Sequence, residues 1–251
     1  RYIGNYSTIF RMENSIFIDI LYGQLESSAG KIKLGSGKIL ENEPKEILAT
    51  DGGYGGTLSQ FAFDNTEFGP MFPSCNSRQC FSIQDTLNDI SKGASIWLYD
   101  NLPFKLAQQI KVLSMDNACN PEGIGMLSKW DRTVGMWFIT KKDYRVINPE
   151  HISQLHYKAD ELLYLGDKQV SLSNKEIFED CSWTFAYAPA KKRWIAWESF
   201  IPNFYFVQGG EMFSGMNNNE TGIWQHNIEG LYCNFYGKQF PFIIEGTEKT
   251  D

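Results

Sequence analysis

Gly123-Ile124-Gly125-Met126-Leu127-Ser128-Lys129-Trp130-Asp131-Arg132-Thr133-Val134-Gly135-Met136-Trp137-Phe138-Ile139-Thr140-Lys141-Lys142-Asp143-Tyr144 is the stretch that decides the fold, because a second stretch repeats its pattern. Residues 180–201, Asp-Cys-Ser-Trp-Thr-Phe-Ala-Tyr-Ala-Pro-Ala-Lys-Lys-Arg-Trp-Ile-Ala-Trp-Glu-Ser-Phe-Ile, lie over it so that Trp130 falls on Tyr187 and Trp137 on Trp194, each pair 57 residues apart. Each copy reads as an aromatic strand, a short polar turn (Asp131–Thr133 or Pro189–Lys191) and a second aromatic strand. One supersecondary unit used twice predicts a mainly β chain of propeller-like or multi-sheet antiparallel architecture, with the two hairpins in two blades and an insertion between them.

The composition narrows what such a chain does. Its 251 residues suffice for one large domain or two small ones, and 18 Phe, 12 Tyr and 7 Trp give too many large rings for a disordered tail. A net charge of −7 opposes non-specific grip on a phosphate backbone. No run of about 18 apolar residues offers a membrane span, and no signal peptide is visible. The first residues, Arg1-Tyr2-Ile3-Gly4-Asn5-Tyr6, already read as structured sequence, so a piece of a longer protein is expected.

The whole of 1–251 reads as one β-rich module, with a possible division into a strand-rich part with helix, 1–115, and the repeated hairpins, 116–251. Alternating runs at Ser15–Tyr22 and Lys31–Leu34 predict strands, separated by Ser27–Gly30 and Gly35-Ser36-Gly37. Asp51-Gly52-Gly53-Tyr54-Gly55-Gly56-Thr57 reads as a tight turn; as a phosphate loop it lacks the following Lys-Ser or Lys-Thr. Helices are expected near 95–113, with Pro103 in the first turn of a second segment, and at 149–163. Strands return at Phe204–Gln208, Ile223–Asn227 and Phe240–Ile244.

Metal and nucleophile chemistry finds little support. Cys75, Cys80, Cys119, Cys181 and Cys233 are read as reduced thiols, since only Cys75-x4-Cys80 is tightly spaced and it lacks two further ligands. His151 and His156, five apart, do not share a helix face, and His226 near Cys233 has no third group to orient it. No cofactor, metal or catalytic residue is assigned.

The order of motifs carries a resemblance. Gly52-Gly53-Tyr54-Gly55-Gly56-Thr57, Phe81-Ser82, Asn88–Gly93, Leu102-Pro103, Trp130-Asp131, Ser182–Pro189, Lys192–Glu198, Phe200-Ile201-Pro202 and Ile223–Asn227 together resemble a region, over roughly 48–246, of the tail muzzle or stabilisation proteins of crAss-like bacteriophages. The resemblance implies a virion structural protein, assembled in the host cytoplasm. Copies of it would form a ring with other tail proteins at the tail's distal end, closing or lining the exit through which genomic DNA passes. It carries over no catalytic residue. The acidic balance suits a channel wall, with carboxylates facing the lumen so that a polyanion slides past.

Two other classes stay open. A glycan-binding or glycan-cleaving module would stack sugars on Trp130, Trp137, Tyr187, Trp194 and Trp197, with Asp131, Glu198 or Asp180 as acid and base, against which stands the packing of the same rings as core. A host-receptor adhesin would use an exposed loop such as Met216–Glu220.

Overall fold

A computed structural model describes residues 2–3, 7–20, 23–27, 30–34, 43–48, 51, 54–84, 86–216 and 222–244. The chain is mainly β, built from several antiparallel sheets with a few short helices. Among the described residues no closed barrel or propeller forms.

The two hairpins are halves of one sheet, and the expectation of two blades is corrected. Strands Gly125–Asp131, Met136–Lys142, Trp183–Ala188 and Arg193–Glu198 lie side by side in that order, all antiparallel. Trp137 therefore stands opposite both Trp130 and Tyr187, and Tyr187 opposite Trp194. The reason lies in burial. Met136–Lys142 and Trp183–Ala188 are buried on both faces, as central strands are, and the edge strand Gly125–Asp131 is nearly as buried because other elements cover it, whereas Arg193–Glu198 alternates exposed and half-buried positions as an open edge does. Local turn chemistry closes each hairpin: the Asp131 carboxylate accepts the Thr133 amide at 2.8 Å, and Pro189 starts a turn that ends on left-handed Lys192.

The central strands run on past the sheet. Tyr144–Val146 pairs with Phe178–Asp180, and the Cys181 amide donates to the Asp143 carbonyl at 2.9 Å, so a long two-stranded arm carries the insertion at its tip. There the expected helix at 149–163 is overturned. Asn148 caps a single 3-10 turn, Pro149–Gln154, through the Glu150 amide at 3.0 Å, and a small sheet of Leu155–Tyr157, Leu163–Leu165 and Lys168–Gln169 follows. Leu155 and Leu163 point into the core while His156 points out, a two-residue period that a helix cannot satisfy.

The region near 95–113 holds two short helices, α1 (Ser95–Asn101) and α2 (Lys105–Gln109), and the chain leaves helix after Gln109. Pro103 lies before the α2 cap residue Phe104 and not in a first turn. Around them stand a four-stranded meander of Asp64–Thr66, Gly69–Ser74, Gln79–Ile83 and Leu87–Asp89, and an N-terminal sheet of Tyr2–Ile3, Ser7–Arg11, Ile16–Ile20 and Lys45–Glu46. Gly23–Ser27 pairs with Gly30–Leu34. Phe204–Gln208, Glu211–Gly215 and Ile223–Gln225 make a three-stranded sheet whose first turn, Gly209-Gly210, has φ of 63° and 92°, the left-handed pair a two-residue hairpin needs. Phe240–Ile244, expected as a closing strand, forms no strand, and the Phe240 amide donates to the Cys233 carbonyl at 2.8 Å. Residues 28–29, 35–37, 52–53 and 217–221, on which the turn and loop readings partly fall, lie outside the described residues. Within the glycine run, a side chain at Gly56 would strike the Glu13 carbonyl oxygen at 2.2 Å, so close backbone approach requires glycine there.

Three apolar clusters pack these parts: one joins the N-terminal sheet to the meander through Ile9, Ile16, Phe72, Phe81 and Ile83, and the other two lie on the two faces of the central sheet. The first face of the central sheet, with Met126, Trp130, Trp137, Ile139, Phe185 and Tyr187, packs on Leu98, Leu102, Leu106 and Met71. The opposite face, with Phe138 and Ala186, packs on Phe200 and Met212.

Candidate functional site

Cross-strand pairing puts the five candidate rings on one face of the central sheet, yet it spends four of them as core. Trp137 is fully buried, Tyr187 and Trp130 nearly so, and Trp194 is half-buried with its indole N–H donated to the Ile90 carbonyl at 3.0 Å. Only Trp197, 58 % exposed, turns substantial ring area to solvent. Its inner face stacks on Phe185, with centroids 4.6 Å apart and planes 10° from parallel, and Trp97 of α1 meets it edge-on at 5.6 Å. Trp97 also contacts Trp183 at 4.9 Å and Phe185 at 5.1 Å, so aromatic edges and faces fasten α1 to the sheet.

The three candidate carboxylates are not brought together. Asp131 stands opposite Met136 and Asp180 opposite Tyr144, eight residues further along the same strand line, roughly 26 Å at about 3.3 Å per residue. Glu198 pairs with Thr184, which pairs with Thr140, midway between them and about 13 Å along the strands from each. Two-carboxylate glycoside hydrolysis needs a separation of about 5–9.5 Å, which none of these pairs meets. Each has other surroundings: Asp131 is fully buried and accepts from Thr133 and the Asn227 amide, Asp180 accepts the Ser182 amide at 2.9 Å, and burial raises the Glu198 carboxyl above its ordinary value.

The densest buried polar cluster is one that sequence reading missed. Lys141 Nζ donates to Asn101 O and Pro103 O, each at 2.8 Å, and to Asp143 Oδ2 at 2.7 Å, which uses all three ammonium protons. Asp143 in turn accepts the amides of Lys105 (2.6 Å), Leu106 (3.3 Å) and Tyr144 (2.9 Å). A buried ion pair thus caps the start of α2 and binds the end of α1 to the sheet. Burial lowers the Lys141 ammonium pKa, with Asp143 opposing. Neighbouring Lys142, on the other face, donates to the carbonyls of Ala118 at 3.0 Å, Asn120, and Pro121 at 3.1 Å, and burial brings it down to about 8. Asn203 shares the Asn120 carbonyl at 2.9 Å.

Hydroxyl relays complete the interior. Thr184 donates to the Phe200 carbonyl at 2.6 Å, a partner that can only accept, so Thr140 donates to Thr184 at 2.7 Å and Tyr205 to Thr140 at 2.5 Å. His226 meets Ser214, not Cys233: Ser214 Oγ lies 2.6 Å from Nε2 and 2.5 Å from the Tyr236 hydroxyl, and burial takes the imidazole down to about 4. With Ser214 fully buried, this pair fastens strand Glu211–Gly215 to the chain that follows it. The cysteines are free thiols among the described residues; Cys75 and Cys80 are buried, and burial takes Cys75 up to about 12. Among the described residues no group of three or more His, Cys, Asp or Glu is placed to hold a metal ion, and no helix is long and apolar enough to cross a membrane.

No known protein family matches the chain, and no curated protein matches it either.

Proposed function

We propose that this chain is a structural module of a bacteriophage virion, part of a tail muzzle or stabilisation subunit that forms a ring with copies of itself and helps close or line the exit channel. In this reading its antiparallel meanders are blade-like units of a propeller-like body, with acidic residues towards the lumen and DNA met only in passage. The order of motifs supplies the phage assignment. The observation that carries the structural role is the use made of the chemically capable side chains: the rings of Trp130, Trp137 and Tyr187, the Lys141–Asp143 pair and the His226–Ser214 pair all join one element to another inside the fold. Rigid buried junctions of that kind serve load and shape.

Peptide mass spectrometry of purified particles of the encoding phage tests the role. The reading expects peptides of this chain at a constant ratio to other tail proteins. Recovery only from the lysate supernatant, or turnover of host surface glycan by the isolated chain, overturns it.

A further inference from the structure

Residues 227–240 lie against Phe200 and Ser214 with few ties to the rest of the fold. Strand Ile223–Gln225 is laddered to Glu211–Gly215, and the His226 amide adds a last bond to the Met212 carbonyl at 2.9 Å. Beyond that point the backbone bonds of the segment are internal among the described residues: Leu231 to Ile228, Asn234 to Leu231, Phe240 to Cys233, and the short hairpin of Asn234-Phe235 with Lys238-Gln239. Side chains make the attachment. The Tyr236 hydroxyl meets Ser214 Oγ at 2.5 Å, the Asn227 amide donates to the Asp131 carboxylate, and the Phe235 ring lies 4.7 Å from Phe200. Asn227, Cys233 and Tyr236 are held left-handed, at φ of 60°, 54° and 54°, a strain that release relieves.

His226 sits at the root of this segment. It is 3 % exposed, with its ring 4.7 Å from Phe200 and 5.9 Å from Phe235 and its Nε2 on Ser214. The Tyr205 and Tyr236 hydroxyls pack on the same apolar cluster, and burial raises both, so neither carries charge in the acid range. Asp131, which Asn227 reaches, already accepts the Thr133 amide, and Glu229 and Lys238 of the segment are exposed. Burial alone shifts the imidazole, so no carboxylate stands ready to hold its cation, and a cation there needs water. Of the two phenylalanines beside it, Phe200 is fixed in the core, its carbonyl accepting from Thr184 and its ring packed on Phe138; Phe235 is only half-buried. We propose that residues 227–240 are an acid-released strap: protonation of His226 frees Phe235 and Tyr236 from Phe200 and Ser214, and the strap swings away beyond His226 while the central sheet stays folded. A covered imidazole binds its proton less readily than a solvated one, so the released state gains as pH falls from about 6.5 towards 4. Release uncovers Phe200, an apolar surface shut at neutral pH.

Amide hydrogen exchange of the 251-residue chain tests the strap. A hairpin of two-residue strands has no stability of its own, so the amides of Leu231 and Phe240 lose protection when it leaves. With a pKa of 6.5 when released and about 4 when covered, their opening is expected to rise about twentyfold from pH 7 to pH 5 after correction for intrinsic exchange. Phe185 and Tyr187 in the central sheet are expected to keep their protection. The His226→Gln chain, which retains His151 and His156, is expected to lose the pH response. Phe235→Ala leaves the imidazole in place and is expected to give fast exchange at Leu231 and Phe240 already at pH 7. Equal protection at both pH values, loss at Phe185 and Tyr187 in step, a response that survives in His226→Gln, or a Phe235→Ala chain as protected as the unaltered one overturns the proposal. The strap belongs to the chain wherever it resides, so its failure leaves the virion assignment untouched.

Discussion

His226 and Asp143 show how single side chains set the conditions under which the fold holds. Burial lowers the His226 pKa from 6.5 to about 4, so the unfolded chain binds the proton more readily between those values. Stability is therefore full above pH 6.5 and is lost as pH falls towards 4, by about 3 kcal/mol for this group. Urea unfolding of the His226→Gln variant at pH 7 and pH 4.5 checks it; the difference between the two pH values is expected to shrink relative to the unaltered chain. At Asp143 the expectation is larger. Asp143→Ala strands the Lys141 ammonium in the core and uncaps α2, at a cost of about 3–5 kcal/mol. Urea unfolding at neutral pH reads this directly, and a loss below about 1 kcal/mol would contradict the proposed junction. Neither role is legible in the sequence. Lys141-Lys142-Asp143 reads as an ordinary polar strand end, and the groups it satisfies lie up to 40 residues away.

Among the elements, what is local is what the sequence reveals. The four aromatic strands, the strand at Phe204–Gln208 and its Gly209-Gly210 turn follow from neighbouring residues alone. Which sheet a strand joins does not, because Trp137 and Tyr187 meet across a 40-residue excursion whose closure depends on the whole arm. Helical spacing at 149–163 misleads for a related reason: leucines eight apart suit a helix face, but Leu155 and Leu163 lie in two paired strands. The aromatic face was legible as a set, but its burial depends on α1, which nothing near it in sequence announces. The covered edge Gly125–Asp131, where Ser59 Oγ accepts the Met126 amide and the Asp64 carboxylate the Trp130 amide, also yields a prediction at this scale. Ser59→Ala and Asp64→Ala are each expected to cost about 1–2 kcal/mol and to speed amide exchange at Met126 and Trp130 respectively, leaving the amides of Phe185 and Tyr187 protected. Hydrogen exchange followed by mass spectrometry or NMR measures both.

Across the whole molecule, one cluster of buried apolar residues runs from Ala62 to Tyr187, and Ser59, Asp64 and Ile90 bond directly to the central sheet. Parts that share a core unfold together. Tryptophan fluorescence and far-ultraviolet dichroism are accordingly expected to follow one urea transition, and residues 116–251 expressed alone are expected not to reach the same fold. The proposed role then rests on a body whose interior chemistry is directed at rigidity. Electron cryomicroscopy of intact virions of the proposed kind, purified from the source of this sequence, tests that role most directly. The account predicts density fitting residues 54–216 in several symmetry-related copies around the axis at the distal end of the tail. Density for this fold on the capsid, or as a single copy away from the axis, would contradict it.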